Sequence, residues 1–142
     1  MMKIEQLTHI DDTVSKAFEK LIPQLTGRNS YPSREELQKI LQTGNTFIFV
    51  AREGDEILGT LSLVVYKIPT GKKAWIEDVV VDENARGKGV AALLVNHALD
   101  MARAKGIEKV DLTSTPARTA ANKLYQKLGF GKRDTNVYRF TL

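Results

Sequence analysis

The sequence has no cysteine, only two histidines, and few aromatic residues, which make up 7% of the chain. Without cysteine there is no disulfide, no thiolate-bound metal and no cysteine nucleophile. His9 and His97 have no catalytic partner at a recognisable spacing, so we expect neither histidine chemistry nor a metal. With few aromatics to stack on bases and no run of basic residues, nucleic acid is not an expected partner.

Long apolar runs are also lacking, and none approaches the ~20 residues that a membrane span requires. Residues Met1–Leu7 contain no apolar core of a secretory signal. We therefore expect a cytoplasmic protein with no membrane partner. The 142 residues, 42% hydrophobic and 27% charged, are enough for a single domain over residues 1–142 with its own buried core.

The net charge of +4 is divided unevenly along the chain. Residues 1–85 hold 10 Lys and Arg against 13 Asp and Glu, a net of −3, whereas residues 86–142 hold 11 against 4, a net of +7. A basic half favours a polyanionic ligand, and an acidic half favours a cationic one.

Apolar spacing and turn residues predict both helices and strands in the first half of the chain. A helix is predicted over residues 11–25, with Pro23 expected to kink or end it. Ser33 and Glu36 form a capping box that begins a second helix. Strands are predicted over residues 3–8, 46–52, 57–68 and 73–82, the last three as an antiparallel meander.

The second half predicts a helix over residues 90–105, a strand over 107–113, a helix from Thr115–Pro116 to Gly129, and one or two strands within 131–142. The residues expected to face inward from these two helices are Val90, Leu93, Leu94, Ala98, Met101, Ala120, Ala121, Leu124 and Leu128. The whole order predicts an α+β fold: a mixed sheet with an antiparallel N-terminal half, flanked by about four helices.

The most informative stretch joins the strand that ends near Val81 to the helix that begins near Val90. The loop between them, Arg86–Ala91, contains two glycines and two cations. Such a loop presents backbone N–H groups at the positive end of a helix, which suits a phosphate. The stretch therefore predicts a site for a phosphate-bearing ligand.

Two familiar phosphate-binding motifs also place glycines in a loop that opens a helix. A Walker A loop is excluded because it would need glycine where Asp82 stands and Ser or Thr at Gly89. A Rossmann fingerprint stays as an alternative, since Gly87-x-Gly89-x-x-Ala92 opens a helix and Asp111 lies about twenty residues further on.

A third motif, Arg/Gln-x-x-Gly-x-Gly/Ala, is met by Arg86–Ala91. Here the sequence resembles the GNAT superfamily of acyl-CoA-dependent N-acetyltransferases. The resemblance extends over nearly the whole chain and includes the order of elements, the run Ile76–Asp82 before the loop, and the run Ala121–Phe130 in the last helix. It implies a three-layer fold whose central strands splay apart to leave a slot.

The resemblance also implies acetyl-CoA as the co-substrate. The loop amides would hold its pyrophosphate, the backbone of the preceding strand its pantetheine arm, and Arg118 or Lys123 its 3′-phosphate. Asn122 resembles the residue that hydrogen-bonds the pantetheine arm, although a purely local hydrogen bond is an alternative. The implied binding residues are Val79, Val80, Val81, Arg86, Gly87, Lys88, Gly89, Val90, Ala91, Arg118 and Asn122.

Tyr125 resembles the family's general acid, which donates a proton to the departing thiolate. Many family members place the base where this chain has Lys73, so Glu77 is predicted as the base instead, because residues 75, 77 and 79 share a strand face and Val79 lies near the thioester. The N–H of Val79 would polarise the thioester carbonyl. A structural hydrogen bond or salt bridge at Glu77 or Asp78 is the alternative reading.

We therefore expect an N-acetyltransferase that moves an acetyl group from acetyl-CoA to a primary amine by direct transfer in a ternary complex. The alternatives are a Rossmann-like dinucleotide enzyme and a non-catalytic acyl-CoA-binding module. The identity of the amine is left open. A homodimer through the C-terminal strands is compatible with the pattern.

Overall fold

A computed structural model describes the whole chain, residues 1–142. The elements are β1 (Met2–Gln6), α1 (Asp12–Thr26), α2 (Arg34–Gln42), β2 (Thr46–Glu53), β3 (Glu56–Ile68), β4 (Gly71–Val81), a 3₁₀ turn (Glu83–Ala85), α3 (Val90–Ala104), β5 (Val110–Asp111) and α4 (Thr119–Lys127). None of the helices combines the length and the apolar character that crossing a membrane would require.

The five strands form one sheet in which they lie in the order of the sequence. The first four strands pair antiparallel with their neighbours, and β5 pairs parallel with β4. The predicted α+β fold, with a mixed sheet whose N-terminal half is antiparallel, is confirmed. The parallel pairing of β4 and β5 places the loop Arg86–Ala91 and α3 on the crossover between them.

The sheet is covered by helices on both faces, which gives three layers. On one face α3 packs through Val90 and Leu94 against Phe49 of β2. On the other face α1 and α2 pack against Val50, the next residue of β2, through Leu21 and Leu37. Adjacent residues of a strand point to opposite faces, so β2 contributes to both layers of the core.

The first two helices begin at residues that accept hydrogen bonds from their free N–H groups. Asp11 accepts from the Val14 N–H at 2.9 Å. In the predicted capping box, Ser33 Oγ accepts from the Glu36 N–H at 3.1 Å. Pro23 does not end α1 as expected: it lies in the last turn, where the Gly27 N–H still reaches the Pro23 carbonyl at 2.9 Å and closes the helix.

A bulge interrupts the pairing of β4 with β3. Ser62 lies opposite Glu77 and Thr60 lies opposite Val80, so two residues of β4 face one residue of β3 at this point. The extra residue is Asp78, with a φ of 51°, and it is the one non-glycine residue of the chain with a positive φ. The bulge therefore adds one residue to the strand and shifts the phase of its side chains.

This shift of phase corrects one prediction about the site. Before the bulge Ile76 packs in the α3 layer, and after it Val79 packs in that layer while Val80 joins the α1 and α2 layer. Glu77 alternates with Ile76 and so faces away from α3. The prediction that residues 75, 77 and 79 share a face is wrong, because Glu77 and Val79 lie on opposite faces of the sheet.

The strands predicted after α3 are largely missing. β5 covers only Val110–Asp111 instead of residues 107–113, and it pairs with β4 at Ala74 and Trp75 alone. Residues 131–142 form no strand: all are exposed and none makes a backbone hydrogen bond. A strand needs a neighbour for its N–H and C=O groups, and this segment has none in its own chain.

The last helix also differs from the prediction. α4 begins at Thr119, because the preceding residues form a turn in which the Arg118 N–H donates to the Thr115 carbonyl at 3.1 Å. Only Tyr125 of α4 is buried, and Ala120 is exposed instead of facing inward. In α3, Leu93 is 45% exposed, since the helix turns a different set of residues inward.

Candidate active site

The loop between β4 and α3 leaves a group of backbone donors without acceptors. The N–H groups from Arg86 to Ala91 donate to no acceptor of the protein, and Gly89 at the start of α3 supplies no capping side chain. Gly87 and Gly89 have φ of 82° and 78°, a left-handed conformation that would cost another residue about 1–2 kcal/mol. The loop thus holds an uncapped helix N-terminus, beside the exposed side chains of Arg86 and Lys88, in the form that binds phosphate.

The start of the loop is anchored by Asp82, a residue that the sequence did not single out. Its buried carboxylate accepts from Lys20 Nζ at 2.7 Å, from the Asn84 N–H at 3.2 Å and from Gln24 Nε2 at 3.4 Å. Gln24 also accepts from the Glu83 N–H at 3.0 Å. Two side chains of α1 therefore fix the turn that leads into the loop. The spacing Asp82-x-Asn84, typical of an Asp-capped turn, was the available sequence signal.

The electrostatics of Asp82 agree with this anchoring role. Burial acts to raise the pKa of Asp82, but the hydrogen bonds from Lys20, Asn84 and Gln24 and the charge of Lys20 outweigh it, so that the pKa lies below its ordinary value. The hydrogen bond and charge of Asp82 raise the pKa of Lys20 in turn. Both groups are held in their charged forms at neutral pH.

The edge of β4 that faces β5 is free over the residues predicted to bind a pantetheine arm. The two strands pair only at Ala74 and Trp75, so Val79–Val81 have no partner strand on that side. Val79 and Val81 pack against the α3 layer of the core. The strands splay beyond Trp75, and an open stretch of backbone lies immediately before the loop.

Tyr125 projects from α4 into the same part of the core. It is 7% exposed and belongs to the cluster that includes Ala85 and Val90, which flank the loop. Its ring meets Phe130 edge to face at 5.8 Å, and its hydroxyl makes no hydrogen bond within the protein. Burial raises the pKa of Tyr125, with a smaller opposing effect from the charge of Arg118. A protonated hydroxyl that is carried by a buried side chain, and that itself remains accessible to solvent, is therefore available close to the loop.

Two further predicted residues lie at the start of α4. Arg118 precedes the helix and is exposed, and its charge acts on Tyr125. Asn122 is partly exposed, and its side-chain amide donates to the Thr115 carbonyl at 2.9 Å. The local hydrogen bond that the sequence left as an alternative for Asn122 therefore exists. The side-chain oxygen Oδ1 of Asn122 has no partner in the protein.

Glu77 lies on the other face of the sheet, in the wall of a cavity of about 360 Å³. The cavity is lined by Val64, Tyr66, Trp75, Glu77, Thr113 and Val137. Glu77 is exposed, and neither it nor Asp78 takes part in a side-chain hydrogen bond or in any of the four ion pairs. The structural role considered for these two acids is not seen. Trp75 Nε1 donates to Tyr66 Oη at 2.8 Å and fixes the aromatic wall.

A larger cavity, of about 580 Å³, lies elsewhere on the molecule. It is bordered by the start of β2 and the ends of β3 and α3, and it contains none of the predicted site residues. Three lysines line it, one of which, Lys105, covers the Phe47 ring at 4.4 Å. Cavity size alone therefore does not single out the candidate site, whose distinguishing features are the free amides and the open strand edge.

The fold and the loop together define a class of protein with a slot between two parallel strands. In this chain the slot lies between β4 and β5, and the uncapped N-terminus of α3 stands at its end. A model of the Acetyltransferase (GNAT) family matches residues 13–130, and the chain belongs to this family. The Rossmann alternative is excluded by the antiparallel pairing of the strands that precede the loop.

Relatives with assigned names are similar over part of their length. N-acetyltransferase 8B of Homo sapiens is 33% identical over 68% of this chain and 43% of its own. L-2,4-diaminobutyric acid acetyltransferase of Marinococcus halophilus is 36% identical over 62% of this chain and 50% of its own. The chain thus spans half or less of the length of these curated relatives.

Among solved structures, glucosamine-6-phosphate N-acetyltransferase from Arabidopsis thaliana has a TM-score of 0.81 with 28% identity, and the match covers 99% of this chain and 98% of that one. The aminoglycoside acetyltransferase meta-AAC0020 from an uncultured soil metagenomic sample, in complex with trehalose, has a TM-score of 0.87 with 25% identity over 99% and 96% of the two chains. The fold is therefore that of GNAT acetyltransferases along the whole chain.

Proposed function

We propose that this protein transfers an acetyl group from acetyl-CoA to a primary amine, with both substrates bound at once. The observation that carries the proposal is the continuity of the free β4 edge at Val79–Val81 with the free amides of Arg86–Ala91. An extended amide-bearing chain that ends in a pyrophosphate matches such a surface: strand-like pairing along the edge, then anion binding at the helix N-terminus.

The residues present fit acetyl-CoA in charge as well as in hydrogen bonding. Arg86 and Lys88 are exposed beside the free amides, and Arg118 precedes α4 across the slot. All three groups belong to residues 86–142, which carry a net charge of +7. Acetyl-CoA, when bound here, supplies the acetyl group as a thioester.

The reaction needs a neutral amine, a polarised carbonyl and a proton for the leaving thiolate. Tyr125 donates the proton to sulfur, and its raised pKa keeps that proton in place at neutral pH. The Val79 N–H, on the free edge of β4, donates to the carbonyl oxygen as negative charge develops there. A new bond from nitrogen to the acetyl carbon replaces the carbon–sulfur bond; the nitrogen then loses one proton to solvent, and Tyr125 recovers its proton from solvent.

Glu77 attracts the amine as an ammonium ion and takes its proton through water. It carries an unpaired carboxylate beside Trp75 and Tyr66, and aromatic faces also attract cations. An alkyl ammonium has a pKa of ~10.4, so the site must both bind the cation and deprotonate it. Since Glu77 lies on the opposite face of β4 from Val79, the amine approaches across the bulge at Asp78.

The cofactor claim is tested by a thermal shift with acetyl-CoA, with NAD(P) as the comparison. We expect a rise in Tm with acetyl-CoA, because a ligand that binds only the folded state stabilises it. A CoA-release assay over a panel of primary amines then tests transfer. A protein without a shift at saturating acetyl-CoA would contradict the whole proposal.

The acid role is tested by Tyr125→Phe, which removes only the hydroxyl. We expect turnover to fall by ~10²–10⁴-fold while the thermal shift with acetyl-CoA is retained. Tyr31→Phe, at an exposed tyrosine, is the matched control and should leave turnover unchanged. Unchanged turnover in Tyr125→Phe would remove the acid role; binding without turnover in the wild type would favour the acyl-CoA-binding module.

A further inference from the structure

The cavity of about 580 Å³ lies at the opposite end of α3 from the loop Arg86–Ala91. Lys105, which lines the cavity, directly follows α3, and a helix of 15 residues is ~22 Å long. The cavity is therefore separate from the slot between β4 and β5. Its volume falls in the range of ~300–1,000 Å³ that is usual for small-molecule sites.

The wall of this cavity combines cations, a free amide and apolar surface. Three of its eight lining residues are Lys67, Lys72 and Lys105, and none is an acid, so we call it the lysine cavity. Phe47 and Val65 supply apolar surface. Asn45, also in the wall, accepts from Thr46 Oγ1 at 3.5 Å through Oδ1, while its side-chain nitrogen donates to no acceptor of the protein. These groups together suit an organic anion.

The chain around the lysine cavity carries the same sign of charge. Residues 67–73 and 104–109 contain five lysines and a single acid, Glu108, a net charge of +4. Lys67, Lys72 and Lys105 take part in none of the four ion pairs. The protein therefore supplies no carboxylate to balance the lysines of the cavity.

The end of α3 accounts for only part of this charge. Lys72 Nζ donates to the Lys105 carbonyl at 3.0 Å and so caps the C-terminus of the helix. A helix C-terminus carries a partial charge of about −0.5, which one lysine more than balances. Lys105 Nζ lies over the Phe47 ring, 4.4 Å from its centre, and Lys67 makes no side-chain hydrogen bond. Two of the three ammonium groups are therefore not needed to cap the helix.

Lys67 and Lys72 also form a like-charge pair across the sheet. They lie directly opposite each other on β3 and β4, two residues from the pair Val65 and Ala74, which packs in the α3 layer. Both lysines thus project from the same face. Like charges in directly opposed positions destabilise a sheet. An anion bound between them would turn this repulsion into two attractions.

We propose that the lysine cavity is a second ligand site, which binds a small organic polyanion. The ligand carries two or more carboxylate or phosphate oxygens on an apolar or aromatic body. Its anionic groups lie between Lys67 and Lys72, the Asn45 amide donates to them, and its apolar part rests on Val65 and Phe47. The site is separate from the slot, so the proposal does not depend on the proposed reaction.

The first test is calorimetric titration of the whole chain with citrate and, separately, with AMP, in the presence of saturating acetyl-CoA. Citrate offers carboxylates alone, whereas AMP offers a phosphate on an aromatic base, so the pair identifies which anion the cavity prefers. We expect one equivalent of at least one probe to bind per chain and to raise Tm. Binding of neither probe would overturn the proposal.

The second test removes one cation from the cavity. In Lys67→Gln we expect the Kd of the bound probe to rise ~10-fold, for the loss of one charge-assisted contact. The Tm of the unliganded variant should be equal to or above that of the wild type, because the like-charge pair is gone. Lys3→Gln, at an exposed lysine of β1, makes the same change of charge and should leave the Kd unchanged.

A third variant separates the lysine cavity from the loop. Arg86→Gln combined with Lys88→Gln should weaken the thermal shift with acetyl-CoA and leave the Kd of the probe unchanged. Equal Kd values in Lys67→Gln and Lys3→Gln would show that the probe responds to overall charge and would overturn the proposal. Loss of probe binding in the double variant alone would place the probe at the loop, with the same consequence. Failure of acetyl-CoA to bind would contradict the proposed function and leave these comparisons intact.

Discussion

Strand β2 and the segment 136–142 have similar sequences and opposite fates. Both contain aromatic side chains at every second position, Phe47 and Phe49 in β2 and Tyr138 and Phe140 in the segment, but β2 is apolar without a break from Phe47 to Ala51 whereas the segment alternates apolar and polar residues from Tyr138 onward. β2 lies between β1 and β3 and buries Phe49 and Val50 completely. The segment pairs with no strand and leaves Tyr138 and Phe140 in solvent. A sequence that favours a strand therefore forms one only where a neighbouring edge exists to receive its N–H and C=O groups.

The same contrast extends to the two halves of the molecule. Residues 1–104 form two closed hydrophobic layers, whereas the chain after α3 contributes few buried side chains, among them Ile107 and Tyr125. The closed part holds the loop Arg86–Ala91 in place. The open part carries Arg118, Asn122 and Tyr125 of the proposed site.

The largest effect is expected on the free energy of unfolding when a leucine is shortened in the closed region and, for comparison, in the open region. Leu94 of α3 is fully buried, and Leu94→Ala should cost ~2–5 kcal/mol of unfolding free energy through lost burial and a residual cavity. Leu124 of α4 is half-buried, so Leu124→Ala should cost about 1 kcal/mol or less. Urea unfolding of both variants measures the difference. Equal losses would mean that α4 is packed as tightly as α3.

The closed region was also the one that the sequence predicted well. Local signals fixed the capping box at Ser33, the ends of the meander and the start of α3 at Val90. Such features depend on residues close together in the chain. The bulge at Asp78 was missed because it depends on the register between β3 and β4, and with it the side of the sheet on which Glu77 lies.

In the candidate site, too, features set by residues close together in the chain could be predicted, and features set by residues far apart could not. The loop Arg86–Ala91 could be predicted because a contiguous motif carries it. Asp82 was missed because its partners, Lys20 and Gln24, lie on α1, far away in the chain. The prediction of strands in residues 131–142 was wrong, because the pattern of residues does not state whether a neighbouring strand is there to pair with.

The next expected effect concerns how α3 is seated on the sheet. A Cβ at Gly59 would lie 2.9 Å from the Val80 carbonyl oxygen and 3.2 Å from Val90 Cγ1. Gly59→Ala should therefore lower the free energy of unfolding by ~1–3 kcal/mol. It should also weaken acetyl-CoA binding, because it pushes the start of α3 away from β4. Gly131→Ala, where a Cβ would meet nothing within 4 Å, is the control and should change neither. Unfolding and thermal shifts with acetyl-CoA measure both effects.

A smaller effect is expected where the loop is tied to α1. Asp82→Asn keeps the shape of the side chain but removes its charge, and we expect the free energy of unfolding to fall by about 1–2 kcal/mol. The folded-state pKa of Asp82 is lowered, so its contribution is complete above the ordinary Asp pKa of ~3.9 and is lost as the pH falls through the lower folded value. The stabilities of wild type and Asp82→Asn should therefore converge only in acid.

The control for this prediction is an exposed ion pair. Asp100 pairs with Arg103 at 2.9 Å, but the side chains are 75% and 71% exposed. Asp100→Asn should cost no more than about 0.5 kcal/mol, because solvent screens the pair. Unfolding followed over a range of pH tests both variants. An equal cost for the two would show that Asp82 does not anchor the loop.

The smallest effect on stability is expected at Asn122, in the open region. Its amide holds the Thr115 carbonyl at 2.9 Å from a partly exposed position, so Asn122→Ala should cost about 0.5–1 kcal/mol. Because the carbonyl oxygen of Asn122 is free to accept from a pantetheine amide, we also expect a higher KM for acetyl-CoA with kcat retained. Gln126→Ala, on the exposed side of α4, should change neither quantity. A loss of stability with an unchanged KM would leave Asn122 as a local tie, and the ligand contacts of α4 would then be confined to Tyr125 and the basic residues near its start.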